Sequence, residues 1–310
     1  MARRDPEIEY KTPEQIALMR RAGLVVAQAL AVMRAAVAPG VTTAELDALA
    51  EDVIRDAGAV PSFKGYLGYP ATICSSVNQQ IVHAIPSAKQ VLNAGDLISI
   101  DCGAVLDGWH GDAAISLLVG HDDLTAGPEH ERRRKLIAAS EEALWAGIAA
   151  AARAVRSGRG RLGDISAAIE ASIRSQPVRS RRYGIVQGYG GHGIGSEMHQ
   201  EPFVVNHGRA GRGPRLVPGM CLAIEPMLTL GSPRSVELSD GWTVVTADGS
   251  VAAHVEHSIA LFEDGAWVLT AEDGGAARLG NLLAASAASA LAASPPHGSR
   301  DLGRPLLPEQ

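Results

Sequence analysis

The chain has 310 residues, of which 28 are Lys or Arg and 34 are Asp or Glu, so its formal net charge is −6. This acidic balance argues against a nucleic-acid binder that depends on a strongly basic surface. A hydrophobic content of 46% argues against disorder over most of the length, and the length predicts one large α/β unit or two structural halves.

The three cysteines indicate the compartment in which the protein works. Cys74, Cys102 and Cys221 are an odd number and contain no CxxC pair, which argues against a disulfide framework and against a zinc ribbon. The first residues contain no apolar segment, and the longest Ala, Leu and Val stretches, near 22–38 and 143–155, are interrupted by arginines. We therefore predict a cytoplasmic protein without a signal peptide or a membrane span.

Two helices are predicted near the N-terminus. Thr12-Pro13 has the residue types of an N-cap and a first helical position, and apolar residues then recur at steps of three and four. Thr42 to Glu45 has the spacing of a capping box, and the apolar stripe that follows it ends at Gly58. Residues 1–12 form a short polar arm, which we predict to be exposed and flexible as far as Tyr10.

Strand-like runs follow in 61–120, and the order of helices and strands then repeats. An apolar stripe over 137–155 predicts a long helix, about 164–175 predicts a shorter one, and strand-like runs return in 183–269. Two successive helix-helix-sheet halves predict a pseudo-symmetric α/β domain.

We divide the chain into a domain of residues 1–275 and a tail of residues 276–310. The tail is rich in Ala and Ser and then contains a Pro-Pro pair. It has no periodic apolar face, so we predict that it is disordered or loosely helical.

The segment around Asp107-Gly108 brings two carboxylates together. If this pair forms a two-residue type I′ turn, Asp101 faces Ala114 and Asp112 faces Gly103. Both carboxylates then project from one face as diagonal neighbours, about 7–8 Å apart at the backbone. A buried arrangement needs a cation between them, whereas on an open face they are two solvated aspartates.

A glycine-rich segment over 188–199 contains a literal GxGxxG pattern. A dinucleotide fingerprint has to open a helix, but here Pro202 follows soon and no helical period is present. The glycines are better explained by a backbone that passes close to a ligand, with His192 and His199 presented beside it.

Two glutamates lie in apolar surroundings. Glu225 ends an apolar strand, and Glu256 repeats the situation; an ionised carboxylate there is costly unless it is paired or coordinated. With Asp101, Asp112 and His192 they make an oxygen-rich set that suits two divalent ions of Mn, Fe, Co or Zn with shared carboxylates.

Along about Thr12 to Thr270 the chain resembles the type I methionine aminopeptidases, a family with the pita-bread fold. The matching segments are Gly65 to Pro70, Cys74 to Pro86, the hairpin from Asp101 to Asp112, Gly191 to Gly195 with His199, Ile224 to Met227, Asp240 to Thr243 and Glu256-His257. The resemblance implies a pseudo-two-fold α/β fold whose central antiparallel sheet is covered by helices on one face. It also implies removal of an N-terminal methionine that precedes a small residue.

The resemblance implies roles for individual residues. It implies a dinuclear metal site held by Asp101, Asp112, His192, Glu225 and Glu256. A metal-bridging water would attack the scissile carbonyl, Glu225 would accept its proton, and His83 and His199 would contact the substrate and stabilise the tetrahedral intermediate.

The resemblance further implies a methionine side-chain pocket made of Phe63, Tyr66, Tyr69, Cys74, Met198 and Trp242. Three of the eight Phe and Tyr residues fall between 63 and 69, and aromatic rings and sulfur suit a thioether. A small core cluster under the sheet is the alternative. Ala84, Met198 and Phe63 depart from the residues usual in the family, which affects the dimensions of the pocket and not the metal ligands.

Two other functions are compatible with the fold. A proline-specific aminopeptidase is expected to carry further histidines and a longer N-terminal domain, and a non-catalytic peptide-binding module is expected to have lost ligands. The expected partners are the N-terminal peptides of newly made proteins and the ribosome. We expect a monomer without nucleic-acid specificity or membrane attachment.

Overall fold

Two helices followed by a run of strands occur twice, as the sequence pattern predicts. The computed structural model describes residues 7–120, 127–176 and 182–293. The helices are α1 (Pro13–Ala36), α2 (Thr43–Asp56), α3 (Pro128–Arg156), α4 (Leu162–Ser175), α5 (Ala276–Leu279) and α6 (Ala285–Ala293). The strands are β1 (Val60–Pro61), β2 (Ile73–Val77), β3 (Gln80–Val82), β4 (Leu97–Leu106), β5 (Trp109–Leu118), β6 (Gly184–Ile185), β7 (Gly191–Gly193), β8 (Gln200–Val204), β9 (Cys221–Ile224), β10 (Met227–Thr229), β11 (Ser235–Glu237), β12 (Val244–Thr246), β13 (Ala252–His254), β14 (His257–Phe262) and β15 (Gly265–Val268).

The first two helices begin at the predicted caps. Thr12 and Gln15 form a capping box before α1, and Thr42 and Glu45 form another before α2. Each box satisfies backbone N–H groups that the first helical turn leaves without partners. The chain leaves α2 through Gly58, whose φ is 72°.

All strand pairs of the described residues are antiparallel. The N-terminal sheet has the order β1-β4-β2 with β5 beside β4, and the C-terminal sheet has the order β15-β14-β9-β7-β8. Helix α1 packs on β4 and β5, and α3 packs on β14 and β15. Each half therefore has its own apolar core between its helices and its sheet.

The two sheets are joined where β5 meets the segment between β13 and β14. The backbone N–H of Glu256 donates to the carbonyl of Ala114 at 2.9 Å. The hydroxyl of Ser258 donates to the carbonyl of Asp112 at 2.7 Å and accepts from its N–H at 3.1 Å. The side chains of Asp112 and Glu256 are thereby placed at the junction of the two halves.

Helix α1 is the one helix of the described ranges that is long and apolar enough to cross a membrane, with a mean hydropathy of 1.6. More than half of its apolar window, 56%, is buried inside the fold. In its middle, the buried guanidinium of Arg20 donates to the carbonyls of Val268 at 3.1 Å and Leu269 at 2.8 Å. A core helix passes the same test of length and composition, so this is weak evidence for a membrane span.

The predicted start of the tail at residue 276 is wrong. Leu279 is buried in the core of the C-terminal half, and Ala284 and Ala287 are buried against residues that include Ile16 and Trp267. Alanine gives a weak hydrophobic signal, which is why the sequence pattern missed this packed face. Residues 294–310 lie outside the described residues, and for them disorder stays a prediction.

The N-terminal arm also differs from its prediction. Residues 1–6 lie outside the described residues, but residues 7–12 are fixed to the body of the protein. Within the segment predicted to be exposed, the carboxylate of Glu9 accepts from the hydroxyl of Ser196 at 2.7 Å. Next to that segment, the backbone N–H of Lys11 donates to the carbonyl of Gly219 at 2.8 Å. Polar composition alone did not show that these side chains have partners far along the chain.

The packing of α6 can be tested with two neighbouring alanines. Ala287 is fully buried, whereas Ala288 is exposed. We expect Ala287→Asp to lower the melting midpoint by several degrees, because a carboxylate would be buried without a partner. The same change at Ala288 is expected to leave the midpoint nearly unchanged in thermal unfolding experiments. Equal midpoints for the two variants would show that α6 does not dock.

Candidate metal centre and active site

The β4–β5 hairpin has the predicted turn and register. Asp107 and Gly108 have φ values of 52° and 80°, as a type I′ turn requires. Asp101 pairs with Ala114, and Gly103 pairs with Asp112. The two aspartates therefore lie on one face of the hairpin, with Asp112 buried and Asp101 beside it.

The C-terminal sheet brings the other predicted ligands to the same place. Donor atoms of Asp112, His192 and Glu256 lie within 4.8 Å of one another. Glu225 follows β9, and its Oε1 is 3.7 Å from Nε2 of His192. Asp101, Asp112, His192, Glu225 and Glu256 all line one cavity.

The glycines of the segment 188–199 have two different surroundings. A Cβ at Gly191 would collide with the carbonyl of Ala223, and one at Gly193 would collide with the carbonyl of Glu201. These two glycines therefore let β7 lie close to its neighbouring strands, whereas Gly188 and Gly190 line a cavity beside His192 and His199. His192 is thereby held between β8 and β9.

The carboxylates are too close and too buried to be ionised together without a cation. Burial, followed by the charges of the neighbouring carboxylates, raises the pKa values of Asp112 and Glu256 well above their usual range. Burial likewise raises the pKa of Glu225, and it raises the pKa of Asp101 to about 7. Oδ1 of Asp101, Oδ1 of Asp112 and Oε1 of Glu256 are buried without a hydrogen-bond partner.

His254 is a residue of this cluster that the sequence reasoning missed. Its Nε2 is 3.2 Å from Oε2 of Glu225 but makes no hydrogen bond with it, and donor atoms of Glu225, His254 and Glu256 lie within 4.8 Å of one another. The signal in the sequence was its position two residues before Glu256, because alternate residues of an extended segment project to one side.

Three histidines, His83, His192 and His199, line the cavity. Nδ1 of His192 lies 2.9 Å from the carbonyl of Gly193; it must donate to that carbonyl, which leaves Nε2 free for a ligand. Nδ1 of His199 lies 3.0 Å from the hydroxyl of Tyr66. Burial lowers the pKa of His83 to about 4 and of His192 to about 3, so both rings are neutral at neutral pH.

The residues of the predicted side-chain pocket form one cluster beside the carboxylates. Phe63, Tyr69, Cys74 and Met198 are buried together, and Tyr66 and Trp242 pack against them. The six residues line a cavity of about 300 Å³, which also contains Leu67, a residue that the sequence reasoning did not include.

The cavity wall contains one firmly held ring. The hydroxyl of Tyr69 donates to the carbonyl of Ile73 at 2.9 Å, and its ring meets that of Trp242 edge to face at 5.0 Å.

A second, more open cavity of about 400 Å³ adjoins the first. The two share His83, His192, His199 and Glu225, so the cleft has an apolar end, a charged centre and an open end.

The profile of metallopeptidase family M24 matches residues 17–263. This chain belongs to metallopeptidase family M24. It is 53% identical over 264 residues to a methionine aminopeptidase 1 of Mycobacterium tuberculosis, which is 85% of this chain and 95% of that protein. It is 47% identical to a methionine aminopeptidase of Clostridium acetobutylicum, over 86% of this chain and 96% of that one. Within family M24 it is therefore a member of the methionine aminopeptidase group.

Solved structures of family M24 confirm the predicted pita-bread fold. The crystal structure of methionine aminopeptidase from Thermotoga maritima superposes with a TM-score of 0.76 at 39% identity, over 85% of this chain and 99% of that one. An Xaa-Pro dipeptidase from Bacillus anthracis superposes with a TM-score of 0.62 at 20% identity, over 84% of this chain and 61% of that one. At that identity the second likeness shows the fold alone.

The carboxylate cluster predicts how the M24 fold without metal responds to pH. In the folded protein the carboxyl groups of the cluster have raised pKa values, so they keep their protons at neutral pH. In the unfolded chain carboxyl groups have pKa values near 4 and release these protons. Stability should therefore fall as pH rises towards the folded values. Between pH 7 and 8.5 the histidines with lowered pKa values are neutral in both states and contribute little.

We expect the melting midpoint of chelated protein to fall from pH 7 to 8.5 and Asp112→Asn to reduce this fall. Added Mn²⁺ should stabilise more strongly at the higher pH, because the ligands must be deprotonated to bind it. Thermal unfolding in each buffer measures both effects. A midpoint of the chelated protein that rises over this interval would contradict the carboxylate argument.

Proposed function

We propose that this protein removes the N-terminal methionine from newly made proteins and peptides whose second residue is small. One observation carries the proposal. A buried cluster of carboxylates with His192 lies directly beside an apolar cavity lined by aromatic rings and sulfur. The first suits a metal-dependent peptidase, and the second suits the side chain of methionine.

Two divalent cations of Co, Mn, Fe or Zn fit the site. The unpartnered oxygens of Asp101, Asp112 and Glu256 need positive charge, and the oxygen-rich donor set with imidazole suits these ions. Asp101, Asp112, His192, Glu225 and Glu256 would hold them. When bound, the cations would supply Lewis acidity and lower the pKa of a coordinated water.

The proton transfers fall to side chains at the centre of the cleft. Glu225 would accept the proton of the attacking water, since its carboxylate lies where the two cavities meet. His83 and His199 face the same space and donate hydrogen bonds to the carbonyl oxygen and to the amide that leaves. Donors of this kind often contribute about 3–4 kcal/mol each to transition-state stabilisation.

The shape of the cleft explains why the substrate must have a free amino group. The methionine side chain occupies the apolar cavity, which places its α-amine against the acidic cluster and the rest of the peptide in the open cavity. An internal peptide bond has no cation to offer the carboxylates.

A proline-specific peptidase is the second candidate, and only the fold favours it. The likeness to an Xaa-Pro dipeptidase is at 20% identity, whereas the likeness to the methionine aminopeptidase of Mycobacterium tuberculosis is at 53%. A non-catalytic peptide-binding module is disfavoured because every predicted ligand lines the cavity.

The proposed substrate also suggests where the protein acts. We place it in the cytoplasm as a monomer that meets nascent chains at the ribosome. The three cysteines are buried and unpaired, which fits a reducing compartment.

The central test is activity on Met-Ala-Ser after chelation and re-addition of single metals, with an Xaa-Pro dipeptide as control. We expect Asp112→Ala to lose both bound metal and turnover, since the site loses a central carboxylate. His199→Ala is expected to keep its metal and lose rate. Metal analysis and steady-state kinetics separate the two. Full metal content and near-normal kcat in both variants would refute the site assignment.

The pocket predicts a preference among side chains of similar size. Met198 is an adaptable apolar wall, so norleucine at the N-terminus should be accepted well. Leucine should be about ten- to a hundredfold poorer because it is branched, and glutamine should hardly react because its amide would be buried without a partner. Steady-state kinetics on the three tripeptides measures this, with Met198→Phe as a stiffer wall for comparison. Equal kcat/KM for leucine and methionine would remove the pocket argument.

A further inference from the structure

The N-terminal arm is bound to the segment that carries Met198 and His199. The carboxylate of Glu9 accepts from the hydroxyl of Ser196 at 2.7 Å and from its backbone N–H at 3.2 Å. It also accepts from the side-chain amide of Gln200 at 2.7 Å. One carboxylate thus holds a residue on each side of Met198 and His199.

Lys11 contacts both Glu9 and Gln200. Its ammonium donates to Oε1 of Gln200 at 2.9 Å and lies 3.2 Å from the carboxylate of Glu9. Its side chain is only 1% exposed, so the charge needs these partners. A Cβ at Gly195 would collide with the side chains of Lys11 and Glu9, which shows how closely the arm lies on the segment.

The charge of Glu9 is well defined. Burial opposes its ionisation, but the hydrogen bonds from Ser196 and Gln200 and the charge of Lys11 together lower its pKa to about 2. Glu9 is therefore a carboxylate at every physiological pH, and it accepts hydrogen bonds without donating any.

The held segment has two contacts in the cleft. Met198 is buried in the apolar cavity with Phe63 and Tyr69. His199 lies against the hydroxyl of Tyr66, and its ring centre is 4.4 Å from that of His192. A small displacement of this segment would move a pocket wall and a hydrogen-bond donor together.

We propose that Glu9 is a positioning residue for the reaction, which fixes Met198 and His199 in the cleft through Ser196 and Gln200. The inference rests on the proposed function, because that function gives Met198 and His199 their roles. Glu9 itself contacts neither the carboxylate cluster nor the apolar cavity among the described residues, so it acts on rate and selectivity and not on metal binding.

The test exchanges the residue types at positions 9 and 200. In Glu9→Gln one of the two acceptor oxygens becomes an NH₂ donor, and the negative charge beside Lys11 is lost, so a single oxygen is left to accept from Ser196 and Gln200. In the double variant Glu9→Gln, Gln200→Glu, the new amide can donate to a carboxylate at position 200, and Lys11 keeps an acidic partner. Glu7→Gln is the matched control, since Glu7 is exposed on the same arm.

Activity on Met-Ala-Ser and on norleucine-Ala-Ser is measured with added metal, well below every melting midpoint, together with metal affinity by calorimetry. For Glu9→Gln we expect kcat to fall about ten- to a hundredfold, the ratio of the two substrates to change, and metal affinity to stay the same. The double variant should recover most of the loss, and Glu7→Gln should behave as wild type.

Two results would overturn the inference alone. One is a Glu9→Gln variant with unchanged kcat and selectivity. The other is a double variant that folds but has no higher kcat than the single variant Gln200→Glu, which carries the same change in the lining of the open cavity. A wild-type protein that cleaves neither tripeptide with any added metal would instead overturn the proposed function, and the inference with it.

Discussion

The mutual repulsion of buried carboxylates is the constraint on which the structure depends. Asp112, Glu225 and Glu256 are buried. Burial raises the pKa values of all three, and neighbouring carboxylates raise those of Asp112 and Glu256 further. The two halves meet at this point through backbone bonds between Ala114 and Glu256. The fold therefore holds together a cluster whose charge needs metal ions for balance.

Much of this site could be predicted from the sequence, for a physical reason that differs between its parts. A two-residue turn at Asp107-Gly108 fixes the register of its hairpin, so local chemistry alone placed Asp101 and Asp112 on one face. The signal for His254, its spacing of two residues from Glu256, was weaker, because its contact with Glu225 joins two different strands. The pocket and the role of His83 came from resemblance, since isolated aromatic residues and a lone histidine are equally typical of a core.

The errors of the sequence analysis have a common origin in long-range packing. Ala284 and Ala287 dock without any strong hydrophobic period, and the polar arm around Glu9 is fixed by residues near 196–200. A segment of small or polar side chains is exposed only when no residue far along the chain packs against it or hydrogen-bonds to it. Residues 9–11 and helix α6 therefore both lie against the half of the fold that carries His192.

Anomalous diffraction from crystals of the protein loaded with Mn²⁺ or Co²⁺ tests the central claim most directly. We expect anomalous difference peaks among Asp101, Asp112, His192, Glu225 and Glu256, beside the cavity lined by Tyr69 and Met198. Protein fully loaded in solution whose crystals show the metal elsewhere, with the carboxylates unliganded, would contradict it.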